Sequence, residues 1–187
     1  STDSEEIASI SLKYGAEVPF IRPKELATDT SSSFSVVEHA INFYANEKNI
    51  NFDFVALLEP TSPIRKPYDI DNMIKKLSDN YKKNDAIVSL GEVSEHPALL
   101  KTIDKNLNIN PYDTSSSNNH RRQDQKKLYF PYGVAYISKV SVLMKEKTFY
   151  PKRTLGYLID RHQNYEVDDI YDFICIESIL KKRIHNL

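Results

Sequence analysis

Residues 54–90 read FVALLEPTSPIRKPYDIDNMIKKLSDNYKKNDAIVSL, and this stretch decides the fold. Phe54 to Leu58 is a compact apolar run of strand length. It is stopped by Glu59-Pro60-Thr61-Ser62-Pro63, whose two prolines cannot donate to a strand ladder. Pro67 stands at the favoured first position of a helix whose inward face is Ile70, Met73, Ile74 and Leu77. Ala86 to Leu90 supplies the next buried strand. Strand, helix, strand at this spacing predicts βαβ units and an open, mostly parallel α/β sheet with helices on both faces. Ligands of such sheets sit beyond the carboxyl ends of the strands. Glu59 to Arg65 occupies such an end, although two prolines and two hydroxyl residues also make an ordinary tight turn.

Toward the N-terminus, Ile7, Ile10 and Tyr14 recur at helical spacing behind Asp3 and Ser4, with Glu5 and Glu6 in the first turn and Gly15 just past the end. Ala16 to Ile21 reads as a short strand ending at Arg22-Pro23. A serine-rich stretch through Ser33 then leads into a helix striped by Val36, Val37, Ala40, Ile41 and Tyr44. The opening Ser1-Thr2-Asp3 reads as the end of a strand, which predicts a missing segment upstream. Toward the C-terminus, Leu99 to Ile103, Gly133 to Ser138 and Thr154 to Ile159 read as strands, and Asp169 to Arg183 as a closing helix. Asp113 to Lys127 holds no apolar side chain; it is either solvated chain or, through Arg121, Arg122 and Lys126, an anion-binding lid.

The chain has 187 residues, 40% of them hydrophobic, enough for one domain with a proper core. Its formal net charge of -1 gives no basic field, so nucleic acid and membrane surfaces are not expected partners. No apolar run approaches the length of a membrane span and no signal segment opens the chain, so a soluble cytoplasmic protein is expected. The single cysteine, Cys175, forms no disulfide within the chain and is expected in the core. The five histidines show no metal spacing.

Glu166, Asp168 and Asp169 form the most suggestive cluster. Carboxylates at 166 and 168 alternate along an extended segment, so both point to one side just before a helix. Such a pair suits Mg²⁺, which takes one or two protein carboxylates and completes its octahedron with water and phosphate oxygens. The competing account is that Asp168 or Asp169 caps the helix.

Seven short motifs, in order, carry a resemblance. They are Ser1-Thr2-Asp3-Ser4-Glu5-Glu6-Ile7-Ala8, Tyr14-Gly15-Ala16-Glu17-Val18-Pro19-Phe20, Arg22-Pro23 with Leu26-Ala27-Thr28-Asp29, Leu57-Leu58-Glu59-Pro60-Thr61-Ser62-Pro63-Ile64-Arg65, Val93-Ser94-Glu95-His96-Pro97, Arg122-Gln123-Asp124, and Gly133-Val134-Ala135-Tyr136-Ile137. Together they resemble the acylneuraminate cytidylyltransferase family, the CMP-sialic acid synthetases and their relatives, over nearly the whole chain. The resemblance implies a Rossmann-like nucleotidyltransferase, residues 1–187 forming one domain, with a substrate-lid and dimerisation subregion at about 94–165. It implies Mg²⁺-dependent transfer of CMP from CTP to the anomeric hydroxyl of an acidic nine-carbon sugar, with release of pyrophosphate, by a homodimer. In that scheme Arg22 and Ser33 contact the nucleotide. Glu59, Thr61, Ser62, Gln123 and Tyr132 face the sugar, Arg122 and Asp168 are catalytic, and Glu166 with Asp168 holds the metal.

The sequence departs from that pattern in three places. The family begins with a strand and a glycine- and lysine-containing loop around the triphosphate, absent ahead of Ser1, so the chain as it stands is expected to turn over little. Glu166 stands where the family has an aspartate, one carbon–carbon bond of about 1.5 Å longer. Phe130 and Tyr132 stand where many members have Arg and Asn, and Glu59 where many have Gln. Those last changes shift the expected sugar from plain N-acetylneuraminate toward legionaminic, pseudaminic or another modified nonulosonic acid. A nucleotidyltransferase for a shorter ulosonic acid and a non-catalytic dimeric scaffold are the alternatives.

Overall fold

The computed structural model describes residues 1–112 and 126–184, the side chains of 183 and 184 excepted. Two helices come first. Helix α1, Glu5–Lys13, starts where the Ser4 hydroxyl accepts the Ile7 amide, and α2, Ser33–Glu47, starts where Ser32 accepts the Ser35 amide. Strand β1, Phe54–Leu57, is followed by α3, Asp69–Asp79, and β2, Ala86–Glu92. Strands β3, Lys101–Ile103, and β4, Ile109–Pro111, pair only with each other as an exposed hairpin. Then come β5, Tyr129–Lys139, α4, Val140–Glu146, β6, Thr154–Leu158, and α5, Ile170–Ile184.

The main sheet has the order β1-β5-β2-β6. Strands β2 and β6 pair in parallel, but β5 runs antiparallel to both of its neighbours, β1 and β2. The α/β class holds; the mostly parallel sheet does not, because β5 is inserted against the common direction of the other three. Strands Ala86–Leu90 and Gly133–Ser138 are both apolar on each face, and that signature is the same for either direction.

Each face of the sheet has a core. On one, α2 and α4 bring Val37 and Leu143 against Val88, Tyr136 and Phe149. On the other, α3 buries Met73 and Leu77 completely against Ile87, Ala135 and Ile137. Ile74, expected inward, is 37% exposed, since the stripe that meets the sheet is narrower than the apolar pattern.

Four other expectations change. Ala16–Ile21 is not a strand: Pro19 has no donor, and the segment is tied by the Ala16 amide to the Ser11 carbonyl at 3.0 Å and, just past its end, by Arg22 N–H to the Thr2 carbonyl at 2.8 Å. Pro67 does not open α3; Tyr68, left-handed at φ 69°, precedes it, and the Asp69 carboxylate closes the turn on the Lys66 amide at 2.8 Å. Leu99 falls in a 3₁₀ turn and only 101–103 of that predicted strand pairs. Cys175 is exposed, because the inward stripe of α5 runs through Ile176 and Ile179 and the helical turn rotates residue 175 about 100° away. Residues Asp113 to Gln125, most of the polar loop, lie outside the described residues. Among the described residues no helix is long and apolar enough to cross a membrane.

At the end of the sheet away from the Glu59 turn, Asp85 is 6% exposed and accepts Lys139 Nζ at 3.0 Å and Arg153 Nε and Nη2 at 2.6 Å each. This triad joins the start of β2 to the end of β5 and the start of β6. The hydrogen bonds from Arg153, ahead of those from Lys139, hold the Asp85 carboxyl below the usual aspartate range. Asp85→Ala leaves the buried Lys139 ammonium without its counter-charge, with the Tyr81 carbonyl at 2.6 Å still accepting from it, so urea titration at pH 7 is expected to show a loss of about 3 kcal/mol. Because the folded-state pKa is depressed, this contribution is complete above the ordinary aspartate value. The gap between wild type and variant therefore closes as pH falls through the depressed value.

Candidate active site

The site is built where β1 runs into its turn. Strand β2 shifts register against β5 between Val88 and Leu90, and the Ser89 hydroxyl occupies the irregularity, donating to the Ala135 carbonyl at 3.0 Å and accepting its amide at 3.1 Å. This brings Gly133 to the end of β1, where the Glu59 amide donates to its carbonyl at 3.1 Å. A Cβ on residue 133 would lie 2.3 Å from Glu59 Oε2 and 2.8 Å from Ser62 Oγ. Only glycine fits.

Glu166 reaches the same point from the other side. Its Oε1 accepts the Ser62 hydroxyl at 2.7 Å and the Gly133 amide at 2.9 Å, while the Val167 amide donates to the Thr61 carbonyl at 2.8 Å. The Arg65 guanidinium gathers the carbonyls of Glu59 and Val134 at 2.8 Å each. Two carboxylates, Glu59 and Glu166, thus flank one glycine. Burial lifts the Glu59 carboxyl above its ordinary range and the charge of Glu166 adds to that, against a smaller lowering by Arg65. Burial, then the Glu59 charge, pushes the Tyr136 phenol far up, and burial raises Tyr132.

A cleft of about 680 Å³ opens along β1 and joins Arg22, Ser33 and Glu59. Arg22 spans it with one bond, Nη2 to Asp3 at 3.3 Å, and its buried Nε has no partner. Ser33 and Glu59 also line an adjoining hollow of about 270 Å³ with Tyr136, Lys147 and Tyr150. The structure therefore brings Arg22, Ser33 and Glu59 into one space. Thr61 is exposed beside them; Ser62 is fully buried and its hydroxyl holds Glu166 rather than facing the cleft. Arg122 and Gln123 lie outside the described residues.

Asp169 is the cap of α5: its Oδ1 accepts the Tyr171 and Asp172 amides at 2.7 and 3.1 Å. Asp172 in turn accepts the amides of Asp168 and Asp169. The Asp168 carboxylate is exposed and makes no hydrogen bond or ion pair among the described residues. Those residues contain no group of three or more His, Cys, Asp or Glu side chains placed to hold a metal. Among the described residues, the oxygens that accept no hydrogen bond include those of Asp168, Oε2 of Glu166 and the Glu59 carboxylate, and the resemblance pairs the first two. Two hard donors fit Mg²⁺, which keeps several waters, and do not fit an ion needing a full protein cage.

The family described as Cytidylyltransferase matches residues 1–181. The chain belongs to the cytidylyltransferase family. An N-acylneuraminate cytidylyltransferase of Escherichia coli O18:K1:H7 is 30% identical over 183 residues, covering 98% of this chain and 42% of that protein. The chain thus spans about two fifths of the length of that relative. A CMP-N,N'-diacetyllegionaminic acid synthase of Legionella pneumophila is 30% identical over 183 residues, covering 97% of this chain and 76% of that protein. The solved CMP:2-keto-3-deoxy-manno-octonic acid synthetase complexed with CTP superposes with a TM-score of 0.61 at 12% identity, over 99% of this chain and 79% of that one. At that identity the likeness concerns the fold alone.

Three parts of this candidate site were not legible in the sequence. Arg65 stood in the quoted motif without a role, and nothing in sequence marks a guanidinium bonded to the carbonyls of Glu59 and Val134 and, at 3.4 Å, of Gly133. Lys147 and Tyr150 reach the hollow from the end of α4, too distant along the chain to signal it. Because the Glu59 pKa is raised, its ionisation weakens the folded state at neutral pH and not below the ordinary glutamate value. Glu59→Gln is therefore expected to raise the melting temperature by a few degrees at pH 7, with the gain vanishing below about pH 4.

Proposed function

We propose that this chain carries the catalytic region of an Mg²⁺-dependent cytidylyltransferase that moves CMP from CTP to the anomeric hydroxyl of a modified nonulosonic acid. The observation that carries the reading is the cleft that joins Arg22, Ser33 and Glu59, with Glu166 held on the Gly133 amide behind Glu59. The anomeric oxygen attacks the α-phosphorus, a new O–P bond forms, and the bond from that phosphorus to the bridging oxygen breaks to release pyrophosphate. The hydroxyl proton leaves to solvent.

Such a displacement is accelerated by positioning and by neutralising charge. Arg22, which lines the cleft and is held by one long bond to Asp3, meets the nucleotide, and Ser33 at the start of α2 faces it. Glu59, Thr61 and Tyr132 face the sugar, with Gln123 beside them and Arg122 meeting the anionic groups. Asp168 and Oε2 of Glu166 hold the metal, Ser62 and the Gly133 amide fixing Glu166 through its other oxygen. Bound there, Mg²⁺ would neutralise phosphate charge.

The half-buried Glu59 carboxylate disfavours a second carboxylate close by, which supports a sugar turned with its hydroxyls or acylamino groups toward Glu59. Relatives named for legionaminic acid accord with that. The exposed β3–β4 hairpin supports the assignment of about 94–165 to a lid and homodimer contact, and a reaction that consumes CTP accords with a cytoplasmic protein.

The test is pyrophosphate release from CTP and Mg²⁺ with a panel of nonulosonic acids; release with none of them, from folded protein, would sink the reading. With the active sugar, Asp168→Asn is expected to lower kcat about 100-fold. Arg22→Ala is expected to raise KM for CTP at least about tenfold, the loss of a charge-assisted hydrogen bond.

A further inference from the structure

Beneath the site lie two polar side chains that the reaction does not use. Asp69 is 1% exposed and Gln163 is completely buried. A carboxylate is costly to bury unless donors surround it, and here three separate segments supply them. Asp69 Oδ2 accepts the Lys66 amide at 2.8 Å and Gln163 Nε2 at 2.7 Å, and Oδ1 accepts the Tyr157 hydroxyl at 3.1 Å. Gln163 Nε2 also reaches the Ile64 carbonyl at 3.3 Å, and its Oε1 accepts the Asp160 amide at 3.1 Å. None of the three donors to Asp69 belongs to α3, so the side chain is not serving its own helix.

The segments so joined are the ones that meet again at the site. Ile64 and Lys66 end the turn that carries Glu59 and Ser62; Gln163 precedes Glu166 by three residues, a reach of about 10 Å at most. With so little slack, a shift at Gln163 passes to Glu166. Misplacement by about 1 Å costs on the order of 100-fold in rate at a positioned site.

We propose that Asp69 and Gln163 are positioning residues that fix Glu166 and the 59–65 turn relative to one another; the catalytic part of this inference rests on the cytidylyltransferase reading above. Gln163→Met removes the amide at similar volume. Asp69→Asn is conservative, since its oxygen keeps the Lys66 and Gln163 donors and its amide can donate to the Tyr157 hydroxyl. Tyr157→Phe removes one donor and serves if Gln163→Met does not fold.

In the intact protein, Gln163→Met is expected to lower kcat at least tenfold with KM for CTP within twofold, because Arg22 and Ser33 are not touched by the pair. Asp69→Asn should stay within threefold of wild type, and Tyr157→Phe should lower kcat by a smaller factor, again with KM unchanged. Amide hydrogen exchange reads the same geometry without turnover. Exchange at Gly133 and Val167 should rise at least tenfold in Gln163→Met, or measurably in Tyr157→Phe, while Val88 and Ile137 keep their protection. Unchanged exchange at Gly133 and Val167 overturns the proposal, as does a rise spread evenly over the sheet. If wild-type protein releases no pyrophosphate with any sugar, the activity reading fails and the exchange data still decide the placement.

Discussion

The candidate site depends on the absence of a side chain at one position. Gly133 sits where β5 passes the end of β1, and a Cβ there would fall 2.3 Å from the Glu59 carboxylate. Its amide is also one of two donors to Glu166. Glycine thus permits the approach of two carboxylates and supplies part of the field that holds one of them. The register shift between β2 and β5, bonded through Ser89, exists at the same level of the sheet. The irregular backbone and the close-packed acids are one arrangement.

Around that arrangement the two apolar cores make the sheet rigid from both faces, and polar fasteners close its two ends. At one end the Asp85, Lys139 and Arg153 triad ties three strands together. At the other, Arg65 collects backbone carbonyls and Asp69 collects donors from the turn, β6 and the approach to α5. Buried charges of this kind add little net stability compared with apolar packing, but they are sensitive to geometry. The cleft lies between these rigid parts and α2.

Much of this was legible in the sequence, and the limits have physical causes. Helices α1, α2, α3 and α5 announced themselves by periodicity and by serine or aspartate near their starts. Strands β1, β2, β5 and β6 did so as apolar runs between turn residues. Helix α4 did not, being seven residues long without a side-chain cap. Strand direction was hidden because a strand buried on both faces looks alike read either way. For the site, Arg22, Ser33 and Glu59 were assigned their roles only through resemblance to a family, and the structure brings them into one cleft. The bond from Ser62 to Glu166 was not legible, since a buried hydroxyl on a carboxylate and an exposed one facing a ligand are written with the same letter. The 0% exposure of Gln163 was equally invisible, because a lone Gln in a polar segment reads as solvated chain.

The bond between Ser62 and Glu166 constrains how this protein can change over generations. A carboxylate at 166 shortened by one methylene would have to give up its present reach to the Ser62 hydroxyl or the Gly133 amide unless the backbone between 163 and 168 moved with it. Residue 62 loses its partner if 166 changes alone, and residue 133 has almost no freedom at all. Positions in contact through one shared atom do not contribute independently. Substitutions at 62, 133 and 166 are therefore expected to be energetically coupled, each tolerated only in company with the others.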